Sequence, residues 1–268
     1  MQLRIAGEVS PSFAIRRELA AWFGCLALAA SASLPLFAAT GQSQQASTPV
    51  LVELFTSEGC SSCPPADSLL AELEQKQPVP GTLIVVLSEH VDYWDHEGWR
   101  DPNSSHLWTD RQNEYGRQFR LDSVYTPQMV IDGNQQASGN DPRTIVAAIE
   151  HDATMPHVGI AISKLERSGG GLQVAFTAGA AHGASLFAGG ADDADHSNVQ
   201  RGENAGHTLD HVAVARSLVR LAKLESAPLY KTATLALPAD AASRHLRLVL
   251  FAQDGKTGHI VGVTEREL

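Results

Sequence analysis

The stretch Glu53–Leu73, "ELFTSEGCSSCPPADSLLAEL", decides how this chain is read. An apolar run ends, Cys60 and Cys63 follow, then Pro64 and Pro65. Ala66, Leu69, Leu70 and Leu73 then recur at helical spacing. Two prolines suit a first helical turn, whose N–H groups have no intrahelical partner. A Cys-x-x-Cys pair can hold half a zinc site, close a small structural disulfide, or cycle as a redox dithiol. Between a strand and a helix the redox reading has a mechanism. The positive end of the helix stabilises a thiolate at Cys60. Cys63, about one turn in, can then resolve the mixed disulfide that Cys60 forms with a partner.

Outward from this stretch, "VLVELF" (Val50–Phe55) and "TLIVVLS" (Thr82–Ser88) read as buried strands. Trp108, Tyr115 and Phe119 share one helical face. A strand at about Gln128–Ile131 ends in a turn at Asp132-Gly133. Asp141 can cap a helix that starts at Pro142, buries Ile145, Ala148 and Ile149, and ends near Asp152. Residues 49–152 therefore predict β-α-β-α-β-(β)-α, an α/β domain with a mostly parallel sheet covered on both faces. From residue 157 to residue 268 the pattern alternates, as in Val158, Ile160, Ile162 and in Leu172, Val174, Phe176. That predicts a β-rich antiparallel domain, a small sheet or sandwich. "HVAVARSLVRLAKL" (His211–Leu224) fits strand or helix.

The chain has 268 residues and a formal net charge of −10. It has no Lys/Arg cluster, which argues against nucleic acid or an anionic membrane surface as partner. Residues 1–39 read as an export signal. Arg16 and Arg17 precede "LAAWFGCLALAASASLPLFAA", and small residues near Ala32 or Ala39 suit cleavage. The alternative, an uncleaved anchor helix, is disfavoured by the interrupting serines and Pro35. Residues 40–48 are polar and small and read as a linker. The expected location is periplasmic or secreted, with no stable membrane insertion after cleavage. Cys25 would leave with the signal, so Cys60 and Cys63 would be the mature chain's only cysteines. In an oxidising compartment such a pair must bond to itself, bind metal or meet a partner's sulfur.

Five segments, "VELFTSEGCSSCPPAD", "HVDYWD", "GWRDP", "YTPQMVIDG" and "RGENAG", agree in order with one family. From about Val50 to the C-terminus the chain resembles the secreted, thioredoxin-like family named domain of unknown function 1223. The resemblance implies a thioredoxin-like first half and a family-specific β-rich tail, and it supplies no substrate. The residues between the cysteines are Ser61 and Ser62, unlike the Gly-Pro of thioredoxin, which leaves potential and direction open.

By the same resemblance, Thr126-Pro127 takes the place of the cis X-Pro bond beside a thioredoxin-type dithiol, where the backbone pairs with a substrate strand. Glu53, on the first strand, is a candidate proton relay under the dithiol; the alternative is a strand-end carboxylate facing solvent. Glu58 reads as exposed in the loop and is set aside. "EHVDYWDHEGWRD" gathers His90, Asp92, Asp95, His96 and aromatic rings, so His90 and Trp94 are candidates to line a substrate groove. His90 could also join the cysteines around copper or zinc, but the loop has no fixed ligand spacing, and a packed loop covered by Trp94 and Trp99 is preferred. "RGENAGHTLDH" (Arg201–His211) fits a binding loop over the redox site, an inter-domain contact or a solvated turn. No His-Glu-x-x-His, Gly-x-Ser-x-Gly or Walker-type motif is present, and no cofactor is expected. The leading expectation is an exported thiol–disulfide oxidoreductase acting on protein thiols or disulfides of the cell envelope. The alternatives are a binding module with a permanent disulfide and a Cys/His metal carrier.

Overall fold

Strand β1 (Thr48–Thr56) is buried along most of its length because layers cover both of its faces. The computed structural model describes residues 47–168, 170–238, 241 and 244–268. The expected export signal and nearly all of the expected linker lie outside these residues. Val50, Val52 and Leu54 point to one side of β1, toward helices α1 (Pro64–Lys76) and α3 (Pro142–Asp152). Leu51 and Phe55 point to the other, toward Trp108 and Tyr115 of α2 (His106–Phe119). This is the period-two alternation of a strand between two apolar layers. Helices α1 and α3 start where the sequence places their signals, at Pro64 and after Asp141. Ser105 and Asp141 cap α2 and α3 by accepting from Leu107 N and Thr144 N.

β1 pairs in parallel with β2 (Thr82–His90) and antiparallel with β3 (Gln128–Ile131), which pairs antiparallel with β4 (Gln135–Ser138). The chain then makes β5 (Ile160–Ser168), β6 (Gly171–Ala178), β7 (Ala184–Asn198), β8 (Thr208–Lys223), β9 (Leu229–Ala236), β10 (Leu246–Asp254) and β11 (Ile260–Glu267). These strands do not build a domain beside the first. β7, β8, β10 and β11 join β1–β4 in one mixed sheet, ordered β11-β10-β7-β8-β2-β1-β3-β4. Only β5, β6 and β9 form a separate three-stranded antiparallel sheet, which packs over β7, β8 and β10. The blocks β11-β10-β7-β8 and β2-β1-β3-β4 meet at a single parallel bridge, Ser88↔Val214.

The expected fold class is therefore corrected. The molecule is mostly β, built on a large mixed sheet of eight strands, and it is not a helix-flanked thioredoxin fold followed by an antiparallel β domain. The physical reason is that alternation identifies strands and their faces but not their partners. The ambiguous segment His211–Leu224 lies almost entirely in β8, which pairs along its length with β7. The described residues hold together as one unit. Phe251, Ile260 and Val263 of β10 and β11 pack in the same core as Leu51, Phe55, Trp108 and Tyr115.

Candidate functional site

Cys60 and Cys63 form a disulfide, with Cα atoms 5.4 Å apart. The pair closes the connection between β1 and α1. Cys63 is the N-cap residue of α1, and no side chain caps that helix end. The Cys63 carbonyl accepts from Ala66 N at 2.8 Å and Asp67 N at 3.1 Å, and Cys63 N donates to Cys60 O at 3.2 Å. The sulfurs thus sit at the positive end of a 13-residue helix. Both cysteines are 0% exposed, while Ser61 and Ser62 between them face solvent.

Three segments close over the pair. The β7–β8 connection brings Asn204, whose side-chain amide donates to Glu58 O at 2.8 Å and Cys60 O at 3.0 Å. Its neighbour Glu203 accepts from Ser61 N at 3.1 Å. Of the three readings of the "RGENAG" segment, the structure shows contact with the cysteine loop. Gly202 (φ +80) lies against the β2–α2 loop, where a Cβ would come 3.1 Å from Trp99 Cβ; both its conformation and its space favour glycine. In the β2–α2 loop, Trp94 packs on Gly59, and its indole N–H donates to Thr126 Oγ1 at 2.8 Å. From the β4–α3 turn, Asn140 donates to Ser62 O at 2.9 Å.

Thr126-Pro127 is cis. Gly139 is wedged between Pro127 and Ala66 of α1, which places the proline beside the first turn of that helix. Trp94 and Thr126 are half-buried and joined to each other. His90 is 0% exposed, with Nδ1 2.7 Å from Asp101 Oδ2, so it lies inside the protein and not on a groove wall.

A buried polar cluster flanks the disulfide. His211 of β8 is 2% exposed. Its Nε2 is 3.6 Å from Glu58 Oε1 and its Nδ1 is 3.8 Å from Asp67 Oδ1. Its ring stands edge-on to His90, with centroids 4.6 Å apart. Glu58, two residues before Cys60, is fully buried, contrary to its expected exposure, and takes the Trp99 indole N–H on Oε2 at 2.7 Å. Glu58 Oε1, Asp67 Oδ1, His90 Nε2 and both His211 nitrogens make no hydrogen bond. Burial pushes the His211 imidazolium down, but the carboxylates of Asp67 and Glu58 outweigh it and lift its pKa to about 10. Burial pushes the Asp101 carboxyl up, yet His90 and the backbone N–H groups of Glu58 and Asn103 hold it below the usual range.

Glu53 does not belong to this cluster. It is 0% exposed, on the β1 face that meets α2. Its Oε1 accepts from Arg111 Nε at 2.5 Å and its Oε2 from the Tyr115 hydroxyl at 2.5 Å. Arg111 Nε also lies 3.5 Å from Glu89 Oε1, so one guanidinium faces two buried carboxyls. Burial and the Glu53 charge hold the Glu89 carboxyl well above the usual range.

Of the residues singled out in the sequence, Cys60, Cys63, Trp94, Thr126 and Pro127 gather at the site, His90 lies beneath it and Glu53 lies apart. Sequence reasoning missed Asp67, Asn204 and His211. For Asn204 and His211 the signal was the glycine-punctuated segment Arg201–His211, whose contact partners no spacing could give; for Asp67 it was only a place in the first turn of α1. Among the described residues no group of three or more His, Cys, Asp and Glu is arranged to hold a metal ion.

A profile of the family described as protein of unknown function (DUF1223) matches residues 51–253. A crystal structure of an Agrobacterium tumefaciens protein is 28% identical, covering 83% of this chain and 95% of that one, with a TM-score of 0.63. A Bacteroides uniformis β-glucuronidase matches 41% of this chain and 12% of that one at 12% identity, with a TM-score of 0.17, too low to bear on the fold. No curated protein matches.

Proposed function

As the chain belongs to the DUF1223 family of proteins of unknown function, we propose a function from its site alone: thiol–disulfide exchange with partner proteins outside the cytosol, through Cys60 and Cys63. The observation that carries this reading is the disulfide at the uncapped N-terminus of α1, flanked by buried ionisable groups with unused hydrogen-bonding capacity. A structural staple needs neither feature.

When the protein accepts electrons, a partner thiolate attacks the Cys60 sulfur and Cys63 leaves as a thiolate. A second partner thiol then attacks the partner sulfur of the mixed disulfide, and Cys60 leaves. The partner is oxidised to its disulfide, Cys60 and Cys63 are reduced, and its two thiol protons balance the two thiolates released. The same steps in reverse oxidise a partner. The helix end favours either cysteine as thiolate. Trp94 and Thr126-Pro127 border the strip along which a partner segment would lie. The export signal expected in residues 1–39 supports a site of action in the periplasm or outside the cell.

The full burial of both cysteines favours a second reading, a permanent disulfide that ties β1 to α1. One titration separates the two. The protein is equilibrated in thiol buffers of graded potential and its free thiols are trapped. Exchange chemistry gives one two-electron transition between roughly −120 and −270 mV, the span of known exchange catalysts. A pair that stays oxidised below about −300 mV is structural, and the exchange reading fails.

A further inference from the structure

We propose that His211 is the positioning and charge-compensating residue of the Cys60–Cys63 pair, held as an imidazolium between Glu58 and Asp67 so that the dithiol can release a proton inside the protein. This rests on the exchange reading above.

The geometry ties His211 to both ends of the cysteine loop. Glu58 precedes Cys60 by two residues, and its carbonyl shares the Asn204 amide with the Cys60 carbonyl. Asp67 lies in the first turn of α1, and its N–H donates to the Cys63 carbonyl. Ion-pair distances of 3.6 and 3.8 Å place the His211 ring between these two carboxylates. The groups facing it come from each packed element. Glu58 comes from the β1–α1 connection, Asp67 from α1, and His90 from β2 with Asp101 behind it. On β7, Asp195 is opposite in register, with its carboxylate near Arg216.

The charges explain why a cation is needed. Reduction gives the disulfide two electrons, and the two sulfurs become two thiols or a thiol and a thiolate. A thiolate here has no contact with solvent in the closed form, since both cysteines are 0% exposed. It would also share its surroundings with Glu58 and Asp67. Three anions in a low-dielectric space are strongly unfavourable. One imidazolium among them offsets one of the negative charges, and the helix end adds a further partial positive charge. His211 is held in its charged form by the two carboxylates, against the effect of burial. Without His211, the same two carboxylates would keep both thiols protonated and unreactive.

The test uses two variants whose effects are opposite in sign. In the reduced mature protein, the ultraviolet absorbance of the thiolate is followed against pH, and the exchange equilibrium with glutathione is measured over the same range. His211→Asn should raise the thiol pKa by at least one unit. At a pH where the wild type is ionised, it should shift the equilibrium toward the disulfide about tenfold, which corresponds to about 30 mV. Asp67→Asn removes an anion and should lower the same pKa. A purely structural His211 would lower the melting temperature in both variants and leave both titration curves in place, which overturns the proposal. Shifts of the same sign in the two variants overturn it as well. If His211→Asn does not fold, an unmoved or raised pKa in Asp67→Asn is sufficient to reject it. A wild-type pair that fails to exchange at all removes the underlying function, and this inference falls with it. Exchange that persists while the pKa values stay fixed removes the inference alone.

Discussion

At the scale of single residues, two sites each bury a pair of carboxyl groups against one cation, and they solve this differently. Arg111 serves Glu53 and Glu89 together, and the Glu89 carboxyl is held well above the usual range, by burial first and by the Glu53 charge second. Glu58 and Asp67 instead share a protonated His211. Both solutions bind protons that the unfolded chain releases, so both make stability fall as pH rises. A carboxyl whose folded pKa is raised stabilises fully below its unfolded value of about 4.3. That contribution is lost as pH climbs toward its folded value. For His211 the loss runs from about 6.5 to about 10. Urea-unfolding midpoints measured across this range should therefore decline in two stages. Glu89→Gln should flatten the earlier stage and leave the protein more stable than the wild type at high pH. His211→Asn should flatten the later stage. Unchanged curves in both variants would show that these groups keep ordinary pKa values. Glu53 shows how far a strand pattern reaches. Its position on a buried strand was legible, but which face meets which helix was not. The neighbouring Glu58, read as a loop residue, proved to be the buried carboxylate beside the cysteines.

At the scale of elements, the connection Val199–His207 turns a surface pair of cysteines into a buried one. It is closed on itself by Val199 N to His207 O at 3.0 Å and Gly206 N to Val199 O at 2.8 Å. It is fixed to the cysteine loop by Asn204 and Glu203. Asn204→Ala removes a hydrogen bond from each of two buried carbonyls, of which that of Cys60 keeps the Cys63 N–H. It should cost about 1–3 kcal/mol and speed reduction of the disulfide by dithiothreitol at least tenfold, followed by stopped-flow thiol trapping. An unchanged rate would mean that reductant reaches the sulfurs by another side. The helices were the most legible elements, because Pro64 and Asp141 are local start signals and Trp108, Tyr115 and Phe119 a local periodicity. The β7–β8 connection was legible only as a glycine-punctuated loop. Its contacts with Glu58 and Cys60 lie more than 140 positions away, beyond any pattern of spacing.

At the scale of the whole molecule, the change of pattern after residue 152 marks a change in strand type and leaves the core undivided. Leu51, Phe55, Val85 and Leu87 lie against Ala191, Ala215, Val249, Phe251, Ile260 and Val263. Residues 49–152 alone would expose that face, together with the β2 edge that meets β8. A fragment ending at Met155 should therefore show no cooperative thermal transition by circular dichroism and should aggregate. A sharp transition would establish an independent first domain. The sequence made the strands of both segments visible because each alternates or runs apolar. Their assembly into one sheet stayed hidden because the pairing that joins them is a single bridge between Ser88 and Val214.

That bridge has a mechanical consequence. The sheet ladder joins the two blocks at one rung, so the rest of the seam is carried by other contacts. On one face of the sheet Leu51 and Phe55 share a core with Phe251, Ile260 and Val263, and Ile260 N donates to Asp132 O at 2.7 Å. At the cysteine end the seam is polar: the His90–His211 ring contact, the ion pairs of His211 and the Asn204 amide cross it. Loss of the His211 charge then acts on two things at once: the chemistry of the sulfurs and the grip of one block on the other.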